Sequence, residues 1–392
     1  MDRKLIIGTL LVSGTCIGGG MLALPVLTSL GGFVPSMVIF LLCWLFMAGT
    51  GLLFLEVCHW MNGDTNIVSM AGKTLGKGGK AFAWLLYLFM FYCLTLAYIV
   101  GCGNLVTEIL PLPAWAGSLV FVAVFSPAVF FGARVVGRVN SLLMVGLLVS
   151  YFVFVAIGIP YVNVENLKHI DWPSSLLALP VAFTSFAYQG IIPTLSRYME
   201  FNIRKTRSAI LLGSFLPFAA YVIWQWLILG IVPTFSENGL ADTLEVGGNA
   251  VDPLKFFIKH SSVYTVGQFF AFFALTTSFY GVTLGLLDFL ADGLDIKKDA
   301  KGKFFLSMLV FVPPLFLAVS YPRVFLTSLE YAGGYGSALL LGLLPILMVW
   351  SGRYCQKLPS KYSLFGGRIT LVLMLLFVIF EIIFETAHLI FH

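Results

Sequence analysis

Long apolar runs, separated by short polar segments, follow one another along almost the whole chain. A helix needs roughly 20 mostly apolar residues to cross about 30 Å of hydrocarbon at about 1.5 Å per residue. Runs of this length predict an all-α membrane protein of about eleven spans. The predicted spans, numbered 1 to 11, are 5–30, 33–57, 80–110, 115–134, 139–160, 174–198, 207–235, 262–291, 303–321, 323–350 and 367–390.

Basic residues lie mostly on one side of these spans. Of the 23 Lys and Arg residues, all but Lys168, Lys255, Lys259 and Arg323 fall on the side of the N-terminus. Cytoplasmic loops carry an excess of Lys and Arg, so we expect the N-terminus inside and the C-terminus outside. The longest loops are predicted at 58–79 and 292–302 inside, and at 161–173 and 236–261 outside.

Composition excludes several classes of protein. Only 10% of the residues are charged and the mean hydropathy is +0.97, against about 25% charged residues in soluble domains. The net charge of +5 is spread between apolar runs, so no continuous basic face predicts a nucleic-acid partner. The first apolar run continues to Leu30 without an A-x-A-like cleavage site, which favours a retained helix over a signal peptide.

Signals of enzymatic chemistry are weak. The six cysteines show no C-x-x-C spacing, and the five histidines form no H-E-x-x-H motif or mid-membrane partner for a Ser or Cys nucleophile. Gly72-Lys73-Thr74 resembles the end of a P-loop, but Ile67 stands where the motif needs glycine. We therefore expect no enzyme, no catalytic residues, no cofactor and no metal site beyond one for a coupling Na⁺.

Span 1 contains an unusual run of small residues from Ser13 to Gly20, followed by Pro25. Glycines spaced four apart are common where membrane helices pack closely, and Gly14 and Gly18 fit that alternative. Three consecutive glycines are more than one packing face needs, and glycine readily leaves the helical conformation. The run therefore predicts that span 1 unwinds here.

Span 6 has a second interruption, where Thr184, Ser185, Tyr188 and Gln189 cluster before Pro193. A merely kinked helix is the alternative. Broken helices five spans apart, crossing the membrane in opposite directions, are typical of an inverted-repeat secondary transporter. The predicted units are a first repeat at 1–160, a second, inverted repeat at 174–350 and an eleventh helix at 367–392.

Such breaks suit a small zwitterion, because exposed N–H groups attract a carboxylate and freed carbonyls attract a cation. In span 8 the hydroxyls of Thr277 and Ser278 either bond back to the preceding turn or bind a cation, and residue types leave both open. Tyr92 lies in the middle of span 3, where its hydroxyl needs a partner, so it is a pocket candidate. The intramembrane acids considered lie near span ends and are expected to be solvated there: Glu56, Glu108, Asp288 and Glu330.

Three motifs carry a family resemblance. They are the stretch from Gly14 to Pro25, Phe183–Phe186 with Arg197-Tyr198-Met199, and the run from Gly281 to Leu286 leading to Asp288 and Asp292. Together they resemble the bacterial hydroxy and aromatic amino acid permeases, above all their tyrosine-transporting members. The resemblance implies the leucine-transporter fold, with two inverted halves of five helices plus one. It also implies import of an aromatic amino acid, tyrosine first, across the bacterial inner membrane by cation symport, with protons favoured and sodium possible.

The resemblance also implies site residues. Those expected at the substrate carboxylate are Thr15, Cys16, Gly18, Gly19 and Gly20. Those expected around the substrate side chain are Phe183, Ser185, Phe186, Tyr188 and Gln189. Those matching a sodium site are Gly14, Ile17, Ala274, Thr277 and Ser278. The expected partners are an aromatic amino acid and the lipid bilayer, without an obligate protein partner. The alternatives are an uncoupled facilitator, channel or exchanger for small amino acids and, more distantly, an intramembrane enzyme.

Overall fold

The computed structural model describes residues 3–61, 65–258, 261–359 and 362–391, and the basic residue Lys259 lies outside these ranges. Ten helices are long and apolar enough to cross a membrane, and a bent helix pair at the N-terminus makes an eleventh span. The prediction of about eleven spans is confirmed. Their bounds are Arg3–Cys16 (1a), Gly19–Thr28 (1b), Phe33–Trp60 (2), Ile67–Ile109 (3), Ala114–Phe131 (4), Ala133–Gly158 (5), Leu179–Ser185 (6a), Ile192–Tyr198 (6b), Ile203–Ile231 (7), Ser261–Gly293 (8), Ala300–Ser320 (9), Phe325–Cys355 (10) and Gly367–Phe391 (11).

We call the side of the bundle on which span 1a begins the inner face and the opposite side the outer face. Short helices occupy part of the connections on the outer face, at Trp172–Ser175, Leu240–Glu245 and Leu254–Phe257. The boundaries of the two five-helix units stay a prediction.

The inner connection before span 3 is more ordered than a loop. The helix begins at Ile67, where the side chain of Asn66 accepts a hydrogen bond from the Ser69 N–H and the Ser69 hydroxyl accepts one from the Asn66 N–H. Such a reciprocal cap satisfies two donors at a helix start. Gly76, with φ +76° and ψ −166°, then turns the chain into the spanning part. The predicted loop at 58–79 is wrong from residue 67 onwards, because this short amphipathic turn does not register in a hydropathy window.

Both predicted helix breaks are present. Spans 1a and 1b meet at an angle of 53°. Gly18 between them is extended, with φ −168° and ψ −152°. In span 6, the helix ends at Ser185 and the chain resumes through a 3₁₀ turn at Gln189–Ile191 before span 6b.

The three consecutive glycines of span 1 each face a different neighbour. A Cβ atom on Gly18 would collide with the Ser278 hydroxyl of span 8, and one on Gly20 would collide with the Ser185 hydroxyl of span 6a. A Cβ atom on Gly19 would lie 2.6 Å from Cε1 of Tyr98 in span 3. None of the three positions has room for a side chain, so the glycines allow spans 3, 6a and 8 to pack closely on span 1 as well as allowing span 1 to unwind.

An ion pair joins the inner ends of spans 2 and 10. Glu56 is completely buried, and its Oε1 accepts a hydrogen bond of 2.7 Å from Nε of Arg353. The N–H of Leu364 also donates to this carboxylate, at 3.3 Å. The expectation that Glu56 is a solvated end residue is wrong, because the fold supplies a bidentate arginine partner that compensates its charge.

Candidate functional site

A cavity of about 520 Å³ lies between the two broken spans. Its volume is within the range of about 300–1,000 Å³ that is typical of small-molecule sites. It is lined by residues 14–18 and Gly20 of span 1, by Tyr87, Met90, Phe91, Leu94 and Tyr98 of span 3, by Asn140 and Met144 of span 5, by Thr184, Ser185, Ala187, Tyr188, Gly190 and Ile191 around the break in span 6, by Thr277, Ser278, Gly281, Val282 and Gly285 of span 8, and by Leu341 of span 10.

Tyr221 of span 7 links the two breaks. Its hydroxyl lies 2.8 Å from the carbonyl oxygen of Cys16 and 2.9 Å from that of Ser185. These residues end spans 1a and 6a, so their carbonyls have lost the next helical N–H groups and need other partners. No role is predicted for Tyr221 from the sequence, because the apolar run of span 7 does not show which helix ends it meets.

The structure brings most of the predicted site residues to this one cavity. On the substrate side, these are Thr15, Cys16, Gly18, Gly20, Ser185 and Tyr188. On the cation side, they are Gly14, Ile17, Thr277 and Ser278. The motifs lie far apart in the sequence, and the crossing of spans 1, 6 and 8 is what joins them.

Other predicted residues support the cavity from behind. Gly19 faces Tyr98, and the rings of Phe183 and Phe186 pack against other aromatic side chains instead of lining the cavity. Ala274 is fully buried, and its carbonyl accepts a hydrogen bond from the Thr277 hydroxyl.

Gln189 is also fully buried, and its side chain holds the broken segment to span 2. Its Nε2 donates to the carbonyl of Met47 at 3.1 Å and to the hydroxyl of Thr50 at 3.0 Å. Its Oε1 accepts the N–H of Tyr188 at 2.9 Å, which satisfies a backbone donor that the break leaves without a helical partner.

Tyr92 is not brought to the cavity. Its hydroxyl donates instead to the carbonyl of Leu309 in span 9, at 2.8 Å. Pro313 follows four residues later and has no N–H, so this carbonyl lacks its helical donor. The hydroxyl does find a partner in the membrane, as its position requires, but the partner is a helix carbonyl rather than a ligand.

The cavity wall contains residues for which no role is predicted. Tyr87, Phe91 and Tyr98 form an aromatic wall along span 3. Asn140 of span 5 also lines the cavity, and its buried Oδ1 has no hydrogen-bond partner among the residues the structure describes. A buried amide oxygen without a partner is unusual, and here it is available to a polar group of a ligand.

The cation side contains one hydroxyl that is already bonded within its own helix. Thr277 donates to the carbonyl of Phe273 at 2.8 Å, with that of Ala274 at 3.1 Å. The Ser278 side chain packs against the backbone of Gly18, close to the Tyr98 side chain. Both hydroxyl oxygens retain lone pairs, so both could still accept a cation.

The cavity continues toward the inner face. A second cavity, of about 190 Å³, is bounded by Asn66, Ile67 and Thr194 and shares Tyr87, Phe91, Gly190 and Gly285 with the first. On the outer side lies the segment 240–258, which we call the outer cover. Its helix Leu240–Glu245 packs against span 1b, the Ala250 N–H donates to the Leu22 carbonyl at 3.0 Å, and Leu254–Phe257 packs against span 8.

Within this outer cover, the carboxylate of Asp252 accepts hydrogen bonds from the backbone and side chain of Asn249. The surrounding protein desolvates the carboxylate and, with a smaller effect of the Glu108 charge, raises the pKa of Asp252 to about 7. Lys255 and the bonds from Asn249 oppose this rise.

Comparison with known proteins agrees with this architecture. The tryptophan/tyrosine permease family matches residues 1–385. The chain is 34% identical over 383 residues to the tyrosine-specific transport system 1 of Haemophilus influenzae, covering 95% of this chain and 94% of that protein. It is 29% identical over 399 residues to the tryptophan-specific transport protein of the same species, covering 96% and 94%.

The fold is also similar to the crystal structure of MhsT in complex with L-phenylalanine. The TM-score is 0.68 at 14% identity, covering 97% of this chain and 98% of that one. The chain therefore has the leucine-transporter fold that the family resemblance implies. With a family match that extends from the first residue to span 11, the chain belongs to the tryptophan/tyrosine permease family.

Proposed function

We propose that this chain imports an aromatic amino acid, with tyrosine preferred, by symport with a cation. The observation that carries the proposal is the cavity between two broken spans, which combines backbone polar groups with an aromatic wall. Family membership supports amino acid transport. Preference for tyrosine is supported by the similarity to a tyrosine-specific transport system, while the similar tryptophan-specific protein makes tryptophan the nearest competitor.

The broken spans offer complementary partners for the two charged groups of an amino acid. Backbone N–H groups at the start of span 1b, from Gly18 to Gly20, would hold the carboxylate at the positive end of a helix dipole. Carbonyl oxygens at the end of span 1a would meet the ammonium group. Thr15 and Cys16 line this end of the cavity and would shape the same subsite.

The aromatic ring of the substrate would lie between spans 3 and 6. Tyr87, Phe91 and Tyr98 supply ring faces and edges on one side, and Ser185 and Tyr188 lie on the other. The phenol of tyrosine can bond to a polar group such as Asn140, whose oxygen is buried in the wall. Phe183, Phe186 and Gln189 would act from behind, by fixing the position of the break.

The coupling ion is proposed to be a proton, as in the bacterial branch that the motifs resemble. Sodium is the second candidate, because Gly14, Ile17, Thr277 and Ser278 all line the cavity and the Ala274 carbonyl accepts a hydrogen bond from Thr277. Oxygen ligands of this kind suit a hard cation. The transporter would work in the bacterial inner membrane, N-terminus inside and C-terminus outside, without a cofactor or an obligate protein partner.

An uncoupled facilitator, a channel or an exchanger for small amino acids could use the same cavity, and an intramembrane enzyme is the distant alternative. Uptake of labelled tyrosine into proteoliposomes separates these possibilities. We expect accumulation above the external concentration under an imposed proton or sodium gradient, each applied alone, with tryptophan and phenylalanine as competitors. Equilibration without accumulation would indicate a facilitator, and absence of both uptake and exchange would refute the proposal.

A further inference from the structure

Span 11 carries a buried acidic residue far from the cavity. Glu381 is completely buried, and within the described part of the chain neither of its carboxyl oxygens has a hydrogen-bond partner. Glu385 follows one helical turn later and is only 7% exposed. Residues four apart share one face of a helix, so the two carboxyl groups are neighbours.

Both carboxyl groups converge on Gly334 of span 10. A Cβ atom on this glycine would lie 2.8 Å from Cγ of Glu385 and 3.2 Å from Oε1 of Glu381. The adjacent Gly333 packs against the carbonyl oxygen of Pro180 in span 6a. Because both residues are glycines, only the backbone of span 10 lies between the acidic pair and the broken sixth span.

Span 10 is irregular at this point. Its backbone is π-helical from Ala332 to Leu343, a geometry that is rare and often found at functional sites. Just before this segment, the carbonyl of Leu329 accepts the Thr184 hydroxyl of span 6a at 3.3 Å. Thr184 itself lines the substrate cavity, so these contacts join the acidic pair to the cavity through one side chain and one helix.

Among the described residues, the parts of spans 2, 6a and 10 nearest the pair carry no basic side chain. Residues 33–58 of span 2, 179–185 of span 6a and 325–350 of span 10 contain no Lys, Arg or His. On span 11 itself, His388 follows Glu385 by three residues and so lies on the same side of the helix, and its ring also stacks on Phe384. The titratable groups near the pair from packed elements are Cys43 of span 2, beside Glu381, and Glu330 and Tyr331 of span 10, beside Glu385.

A carboxylate without a partner is very costly in a desolvated site, and two neighbouring carboxylates cannot both be charged there. The neutral acid is therefore the form that the observed packing accepts. Loss of the proton would leave a buried negative charge that is relieved only if spans 10 and 11 separate and admit water or a cation. Protonation is thus linked to the packing of span 11 against span 10, and through the adjacent Gly333 to span 6a.

We propose that Glu381 binds the proton that drives transport. An O–H bond forms at its carboxylate as hydronium from the outer side gives up a proton, and the same bond breaks when the proton passes to water on the inner side. The neutral form holds spans 10 and 11 together, and the ionised form favours their separation. This inference rests on the proposed function and extends it by naming the coupling site.

The test uses the full-length protein in proteoliposomes, with E381Q as a permanent mimic of the neutral acid. We expect exchange of external labelled tyrosine for internal tyrosine to stay within about twofold of the unaltered protein, because exchange needs no net proton release. Accumulation driven by an acidic exterior should fall at least about tenfold. E165Q, at an exposed carboxylate paired with Lys168, is the matched control and should keep both activities.

Pronounced proton-driven accumulation by E381Q would overturn the proposal. So would accumulation by the unaltered protein that follows the sodium gradient and ignores the proton gradient, although symport itself would then stand. If the unaltered protein neither accumulates nor exchanges tyrosine, the proposed function fails instead. If E381Q does not fold, infrared spectra of the unaltered protein and E381D decide: a protonated-carboxyl band that responds to tyrosine and shifts in E381D supports the proposal, and its absence refutes it.

Discussion

The phenolic hydroxyl of Tyr221 lies 2.8 Å from the carbonyl oxygen of Cys16, the last residue of span 1a. The same hydroxyl lies 2.9 Å from the carbonyl oxygen of Ser185, the last residue of span 6a. One hydroxyl of an unbroken helix is thus shared between the ends of both broken ones. A change in the relative position of spans 1a and 6a must break or exchange at least one of these contacts.

Replacement Y221F should therefore impair transport and stability together. The two buried carbonyls lose the single hydroxyl proton that they share, and an unsatisfied buried polar group costs about 1–3 kcal/mol. We expect a lower melting temperature in detergent and an initial uptake rate reduced about tenfold. The matched control is Y151F, which removes a similar bond to the Ala220 carbonyl away from the breaks. Equal effects of the two replacements on uptake would contradict a special role for Tyr221.

Both breaks are readable in the sequence because glycine and proline change the backbone itself. The partners that stabilise them are not readable, since they come from side chains brought together by helix crossing. Pro217 illustrates the difference: it frees the carbonyl of Gly213, and that carbonyl accepts the Ser13 hydroxyl at 2.8 Å. The proline predicts a free carbonyl, whereas the identity of its donor depends on spans 1a and 7 being neighbours.

The buried acids show a related limit. Two acids do not interrupt the long apolar run near the C-terminus, so span 11 is correctly predicted although it contains Glu381 and Glu385. Within such an apolar run neither acid stands out as a candidate functional residue. The contacts of Glu381 with span 10 are what reveal its burial. Glu56 near an inner end resembles a solvated acid until Arg353 is placed against it.

Adding a methyl group at Gly20 should block the site. A Cβ atom there collides with the Ser185 hydroxyl and lies 3.3 Å from its Cα, so the movement of one side chain cannot fully relieve the contact. We expect G20A to reduce tyrosine uptake at least about tenfold while leaving the protein in the membrane. G137A is the control, because a Cβ atom at that position of span 5 meets nothing within 4 Å.

The double replacement G20A/S185G removes the colliding side chain and should recover part of the uptake lost in G20A. No recovery in the double variant would mean that Gly20 serves the substrate or the backbone conformation, rather than the close approach of spans 1b and 6a. Uptake is compared at equal protein density in the membrane, so that differences in expression do not enter.

Replacement of Thr277 and of Ser278 distinguishes sodium coupling from proton coupling. If sodium drives transport, T277A and S278A each remove an oxygen ligand, and sodium-dependent uptake should fall about tenfold or more. T283A is the matched control in the same helix, where the hydroxyl bonds back to the Phe279 carbonyl of its own helix. If both variants keep full sodium-dependent uptake, the cation site assigned to these residues is wrong. Normal proton-driven uptake in both would fit proton symport.

The stability of the outer cover should depend on pH through Asp252. Its pKa in the folded protein is about 7, against an ordinary value of 3.8, so the folded state retains a proton that the unfolded state releases. Stability from this group is therefore fully present below about pH 4 and is lost as the pH rises through 7. We expect the melting temperature in detergent to decline as the pH rises from about 4 to about 7, in addition to any effect of other titrating groups.

In D252N the corresponding part of the slope should disappear, because asparagine stays neutral at every pH in this range. The absolute melting temperature is not the readout, since the amide can accept only one of the two bonds that Asn249 now donates. The control is D242N, which removes the charge of another acid in the same outer segment, where the carboxylate accepts the Asn238 N–H at 2.7 Å. If D252N keeps the pH profile of the unaltered protein and D242N flattens it, the pH dependence does not come from Asp252.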